Sequence, residues 1–77
     1  MSSSSMDTLV RMANQIADFF KIQSADLAVA GTADHIRKFW DPRMRSKMAE
    51  HLTHSGDGLN PIALKAVQRV CKPAAAS

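Results

Sequence analysis

The side chains with ligating or nucleophilic chemistry are few in this chain, and their spacing decides what they could do. His51 and His54, three apart, would place two imidazoles on adjoining faces of a helix, with Cys71 or His35 left to complete a metal site from elsewhere. No paired-cysteine motif and no HExxH accompanies them, so histidines at the surface or at an edge are the expectation. A chain with one cysteine cannot supply the four thiolates of an ordinary iron-sulfur cluster. Ser55 or Cys71 beside a histidine would be a nucleophile. Neither has a sequence context that brings a base, an orienting group and an oxyanion site together, and Cys71 reads as a small core or interface residue. Gly56 and Gly58 match no phosphate-binding fingerprint. Asp34 and Asp41 make a poor acid–base pair, because Asp41 already has a place as a helix cap. We assign no catalytic, cofactor-binding or metal-ligating residue, and expect no enzyme in this chain alone.

The stretch HIRKFWDPRMRSKM, His35 to Met48, is where the sequence concentrates its signal, with the chain's one tryptophan and five of its ten basic residues. A polyanion site is the first idea. On a helical wheel, however, Arg43 and Lys47 share one side, whereas Arg45 falls about 160 to 200 degrees away, beside Met44, Met48 and Leu52. A phosphate-binding face would gather these charges. The net charge of +3 permits an acidic partner or nucleic acid but demands neither. A small basic regulatory or nucleic-acid-binding helical module is thus the alternative reading. Arg45 is better suited to a defined ion pair, either inside the fold with Asp41 or another acid, or across a protein interface.

The elements that must position these residues read as helices throughout, since no alternating strand pattern and no internal repeat competes. The first helix is expected from Asp7 or Thr8 to Lys21, capped by Asp7, with Leu9, Met12, Ala13, Ile16, Phe19 and Phe20 on its packing face. The second helix has two possible starts: Ser24 caps a helix that continues through Gly31, or Gly31 breaks the chain and Thr32 caps a shorter helix. Both versions end near Trp40, with Ile36 and Phe39 beside it. At Asp41-Pro42 the proline restrains the residue before it and suits a first helical position, so Asp41 caps a third helix running to about His54. Ser55 to Gly58 forms a turn. Asn60 then caps a fourth helix from Pro61 to about Cys71, whose apolar arc is broad enough that either the neighbouring helices or another chain must cover it.

The expected fold is therefore all-α, a small domain of three to four helices over residues 7–72, joined by short turns marked by proline and glycine. Residues 1–6 read as a flexible leader and 73–77 as a flexible tail. A chain of 77 residues builds a thin core, and stability that depends on a partner follows as a live expectation. No apolar run approaches the roughly 20 residues that cross a bilayer, and the serine-rich start lacks the features of a secretory signal. We expect no membrane contact and a cytoplasmic location.

LVRMANQIADFF, Leu9 to Phe20, followed by ADHIRKFWDPRMR, Ala33 to Arg45, and GLNPIALKAV, Gly58 to Val67, closely resembles the delta subunit of soluble, NAD-dependent, molybdenum-containing formate dehydrogenases. The FWDPRMR order of aromatic, acidic, proline and arginine residues is its most specific part. The resemblance implies an accessory subunit that binds the alpha subunit and, through it, the beta and gamma subunits. Those partners are expected to carry the molybdenum cofactor, iron-sulfur clusters and FMN, with no cofactor in this chain. Assembly, stability or cofactor insertion would be its task. Joined to the reading of the residues, it makes Phe39, Trp40, Asp41, Pro42, Arg43, Met44 and Arg45 the candidate partner-binding set, with Trp40 open to assignment in the core or at the interface.

Overall fold

The computed structural model describes residues 2–71, with side chains from Met6 onward. Four helices make up the described chain: α1 Ser2–Phe20, α2 Ala25–Phe39, α3 Pro42–His54 and α4 Pro61–Val70. No strand is present among the described residues, and the architecture is a small all-α domain. None of its helices is long and apolar enough to cross a membrane. The tail expected at 73–77 lies outside the described residues.

The starts of α2, α3 and α4 each use a side-chain cap. Ser24 Oγ accepts from the Leu27 amide, Asp41 Oδ1 from Met44 and Asn60 Oδ1 from Ala63. Pro42 and Pro61 follow the latter two caps at the first helical position, where a missing N–H costs nothing. Asp7 differs from the expectation: α1 already begins at Ser2, so Asp7 sits inside the helix, and residues 2–6 belong to the same element. No proline or glycine interrupts the stretch ahead of it, so the helix continues upstream, and Met6 packs against the core.

α2 runs unbroken through Gly31. Its interface with α4 is the most extensive among the described helices, and small residues meet there, Val29 and Ala33 packing against Ala66. Thr32 is the one buried polar residue there, and its hydroxyl donates to the Ala28 carbonyl one turn back, at 2.7 Å. A second cluster joins Leu9, Ala13 and Ala17 of α1 to Ile36, Trp40, Met48, Val67 and Cys71. The broad arc of α4 is thus covered largely from within, as Ala63, Ala66 and Val67 are sealed by neighbouring helices.

The α3–α4 turn depends on Gly56 and Gly58, at φ of 68° and 88°, a left-handed region in which a side chain is strained. Asn14 of α1 then fixes the strand of chain that leads into α4. Its amide nitrogen donates to the Gly58 carbonyl at 2.8 Å, and its oxygen accepts from the Asn60 amide at 2.9 Å. The residue that caps α4 is therefore itself held by α1.

Candidate docking groove

The buried face of α1 is narrower than its apolar arc. Leu9, Ala13 and Ala17 point inward, while Phe19 lies about 120° from the middle of that wedge at roughly 100° per residue. Phe19 was expected in the core, and the structure leaves it 75% exposed. Its ring meets Phe20 edge to face, at 5.2 Å between centroids. Met12, Ile16 and Phe19 are the surplus of the arc, and they form a wall.

Phe39 supplies the opposite wall. It was expected beside Ile36 and Trp40, but it is the last residue of α2 and stands 71% exposed, whereas Ile36 and Trp40 are buried. Its ring stacks instead on His35, one turn back, with centroids 4.5 Å apart. Between these walls and Met44 at the start of α3 lies a solvent-open apolar groove of about 490 Å³, with Phe20 and Trp40 deeper in its lining.

Trp40 is 4% exposed and belongs to the core of this chain. The α2–α3 corner explains why: Trp40 and Asp41 are extended, with ψ of 133° and 169°, so α2 ends and α3 departs in a new direction around the indole. Asp41, Pro42 and Arg43 lie on the outside of that corner and are exposed, while Met44 and Arg45 are half-buried.

A second recess of about 500 Å³ adjoins the groove, sharing Met12 and Met44 with it and lined also by Leu9, Asp41, Arg43 and Lys47. Here the basic residues of the central stretch divide. Arg37 and Lys38 both pair with Asp34, at 3.8 and 3.2 Å, and Lys21 pairs with Asp18 at 3.7 Å. Arg43 and Lys47 make no ion pair among the described residues. Arg45 forms none either, contrary to an internal pairing with Asp41, because that carboxylate faces the Met44 amide as a cap. The Arg45 Nε is buried without a hydrogen-bond partner. Its guanidinium is near enough to Cys71 to favour the thiolate, yet burial dominates and pushes that thiol up to about 11. Cys71 is a neutral core side chain.

The other candidates for chemistry stay apart. His51 Nε2 lies 2.9 Å from the Asp57 carbonyl, and no group of three or more histidine, cysteine, aspartate or glutamate side chains converges among the described residues. What the sequence reading missed is the part played by Met12, Ile16, Phe19 and His35 in an open groove. Their signal was present in the width of the α1 arc, which exceeds what three short helices can cover. Residues 8–67 match the family described as "NADH-dependant formate dehydrogenase delta subunit FdsD". No curated protein and no solved structure matches the chain.

Proposed function

Because the chain belongs to the formate dehydrogenase delta-subunit family, we propose that it is a non-catalytic accessory subunit of a cytoplasmic, NAD-dependent formate dehydrogenase, docking on the molybdenum-carrying alpha subunit through the Phe19–Phe39 groove. Assembly, stability or cofactor insertion is then served by holding a surface of the alpha subunit in place. The observation behind the docking face is that two phenyl rings stand open to water on either side of an apolar floor, in a chain whose own core is thin. Each ring buried by a partner is worth about 1.5–3 kcal/mol in removed apolar surface. Trp40 supports the face from behind, Asp41 and Pro42 set the corner, and Met44 bridges the groove to the cationic recess. Oxidation of formate and transfer of electrons through the beta and gamma subunits belong to the partners.

Co-purification from native cells, before and after cofactor insertion into the alpha subunit, tests this role. The expected result is capture of the alpha subunit at fixed stoichiometry by the wild-type chain. Phe19→Ser with Phe39→Ser should strongly reduce capture while helicity is retained. A folded double variant that co-purifies like the wild type would remove the groove from the docking role.

A further inference from the structure

The distribution of unpaired charge around the groove says what kind of surface it receives. On the α2 side Arg37 and Lys38 share the one carboxylate of Asp34, so each has an acidic neighbour and one of their two charges is offset, and at the end of α1 Asp18 offsets Lys21. The α3 side is different. Arg43 and Lys47 line the recess that continues the groove past Met12 and Met44, neither has a carboxylate within ion-pair reach among the described residues, and the one carboxylate of the recess, Asp41, is engaged by the Met44 amide at 2.9 Å. Arg11 adds a third cation. It is exposed on the edge of α1 that also carries Thr8 and Gln15, which line the recess and the groove, and it too makes no ion pair among the described residues. The open apolar channel thus runs from two exposed phenyl rings toward a recess that Arg43 and Lys47 line from α3, with Arg11 exposed on the neighbouring edge of α1.

We infer that the occupant of this channel is an acidic-edged apolar segment of the alpha subunit: two or three large apolar side chains seated between Phe19 and Phe39, followed by carboxylates that meet Arg43, Lys47 and Arg11. This deepens the docking role above and rests on it. A floor of about 490 Å³ takes a few large side chains, and the apolar contact fixes affinity while the cationic rim fixes direction. A segment bound the other way round would leave its carboxylates against the phenyl rings, losing hydration without gaining a partner. A basic segment would meet like charge at the recess. The two ends also do different work kinetically, because partly exposed charge steers encounter and apolar burial holds the complex.

Titration of the full-length chain against purified alpha subunit at two salt concentrations separates the parts. Wild type should bind with an association rate that falls several-fold as salt rises. Arg43→Glu with Lys47→Glu should weaken binding at least about tenfold at low salt, and remove most of the salt dependence. Phe19→Ser with Phe39→Ser should accelerate dissociation and leave the salt dependence in place. Lys65→Glu with Arg69→Glu, on the α4 edge away from the groove, serves as the control for net charge and should stay within about twofold of wild type. If the phenylalanine variant loses binding and the charge reversal at Arg43 and Lys47 does not, the groove docks the alpha subunit but its occupant is not acidic, and the inference is overturned alone. A loss equal to that of the Lys65 and Arg69 control overturns it equally, as an effect of overall charge. Wild type that fails to bind the alpha subunit, or that self-associates through Phe19 and Phe39 in sedimentation, overturns the docking role and the inference together.

Discussion

The Phe20 ring lies directly over Gly31: a Cβ added at that glycine would stand 2.7 Å from Phe20 Cδ1 and 3.1 Å from Cγ. The close approach explains why α2 tolerates a glycine in mid-helix, where alanine would be favoured by about 1 kcal/mol on propensity alone. The α1–α2 packing is set by that missing methyl group.

Gly31→Ala therefore sets helix propensity against overpacking. Forced insertion into a packed interface costs typically about 1–3 kcal/mol. Rotation of the ring about its own axis does not move Cγ, so relief requires displacement of the whole side chain. Overpacking prevails, and the expected net destabilisation is about 1 kcal/mol, or roughly 4–8 °C in midpoint for a domain of this size. Thermal denaturation followed by far-UV circular dichroism measures it. A variant as stable as the wild type or more so would show that the Phe20 side chain yields freely.

The contrast between Gly31 and Asp7 shows where sequence reasoning reached and where it stopped. Caps and proline punctuation are local, so Asp41 and Asn60 could be placed from neighbours a few residues away, whereas the start of α2 stayed open between Ser24 and Thr32 and the helix number between three and four. Asp7 misled because a cap-forming residue is also acceptable inside a helix, and nothing near Met6 says where the helix begins. Gly31 was ambiguous for a different reason: the ring that demands a glycine comes from another helix. The groove had the same obstacle. Apolar periodicity finds which residues share an arc on α1, but only the positions of α2 and α3 decide which part of that arc is covered, and Phe19 fell on the open part.

Trp40 and Phe39 are neighbours with opposite environments, and their substitutions should separate stability from docking. Trp40→Ala removes an indole that is 4% exposed, a class of change that costs about 3–5 kcal/mol. Stabilities of small domains lie toward the low end of about 5–15 kcal/mol, so the variant should lose most of its cooperative unfolding transition. Phe39→Ala should cost less than about 1 kcal/mol, since the ring is largely in water. Urea denaturation reads both, and quenching of the single tryptophan by acrylamide gives an independent check. Ready quenching of Trp40 in the native protein would contradict its burial.

Asn14 joins α1 to the start of α4 by two hydrogen bonds from one amide. Asn14→Ala leaves the half-buried Asn60 amide and the Gly58 carbonyl without that partner. Each lost bond is worth about 1 kcal/mol, more where a group stays buried and unpaired, so about 1–3 kcal/mol should disappear. The effect is localised: hydrogen exchange at the Asn60 amide should accelerate more than exchange at Thr32 or Ile36 in α2. Uniform acceleration across all helices would show that the Asn14 bridge has no local role.

Cys71 gives the chain an alkaline limit. Burial raises its thiol from an ordinary 9.0 to about 11, with Arg45 opposing the shift only in part. A raised thiol pKa means that the folded state excludes the thiolate. The stabilising difference is complete below about 9, where both states hold the neutral thiol, and is lost as pH rises toward about 11 because the unfolded chain ionises first. A shift of this size corresponds to about 2–3 kcal/mol at roughly 1.4 kcal/mol per pH unit. Lysines titrate in the same window, so the measurement is a comparison: urea unfolding of the wild type and of Cys71→Ala, each from pH 8 to 11. The wild type should lose more stability than the variant over that range. Parallel curves would mean that the thiol ionises in the folded protein as easily as in the unfolded one, and that the Cys71 side chain is open to water.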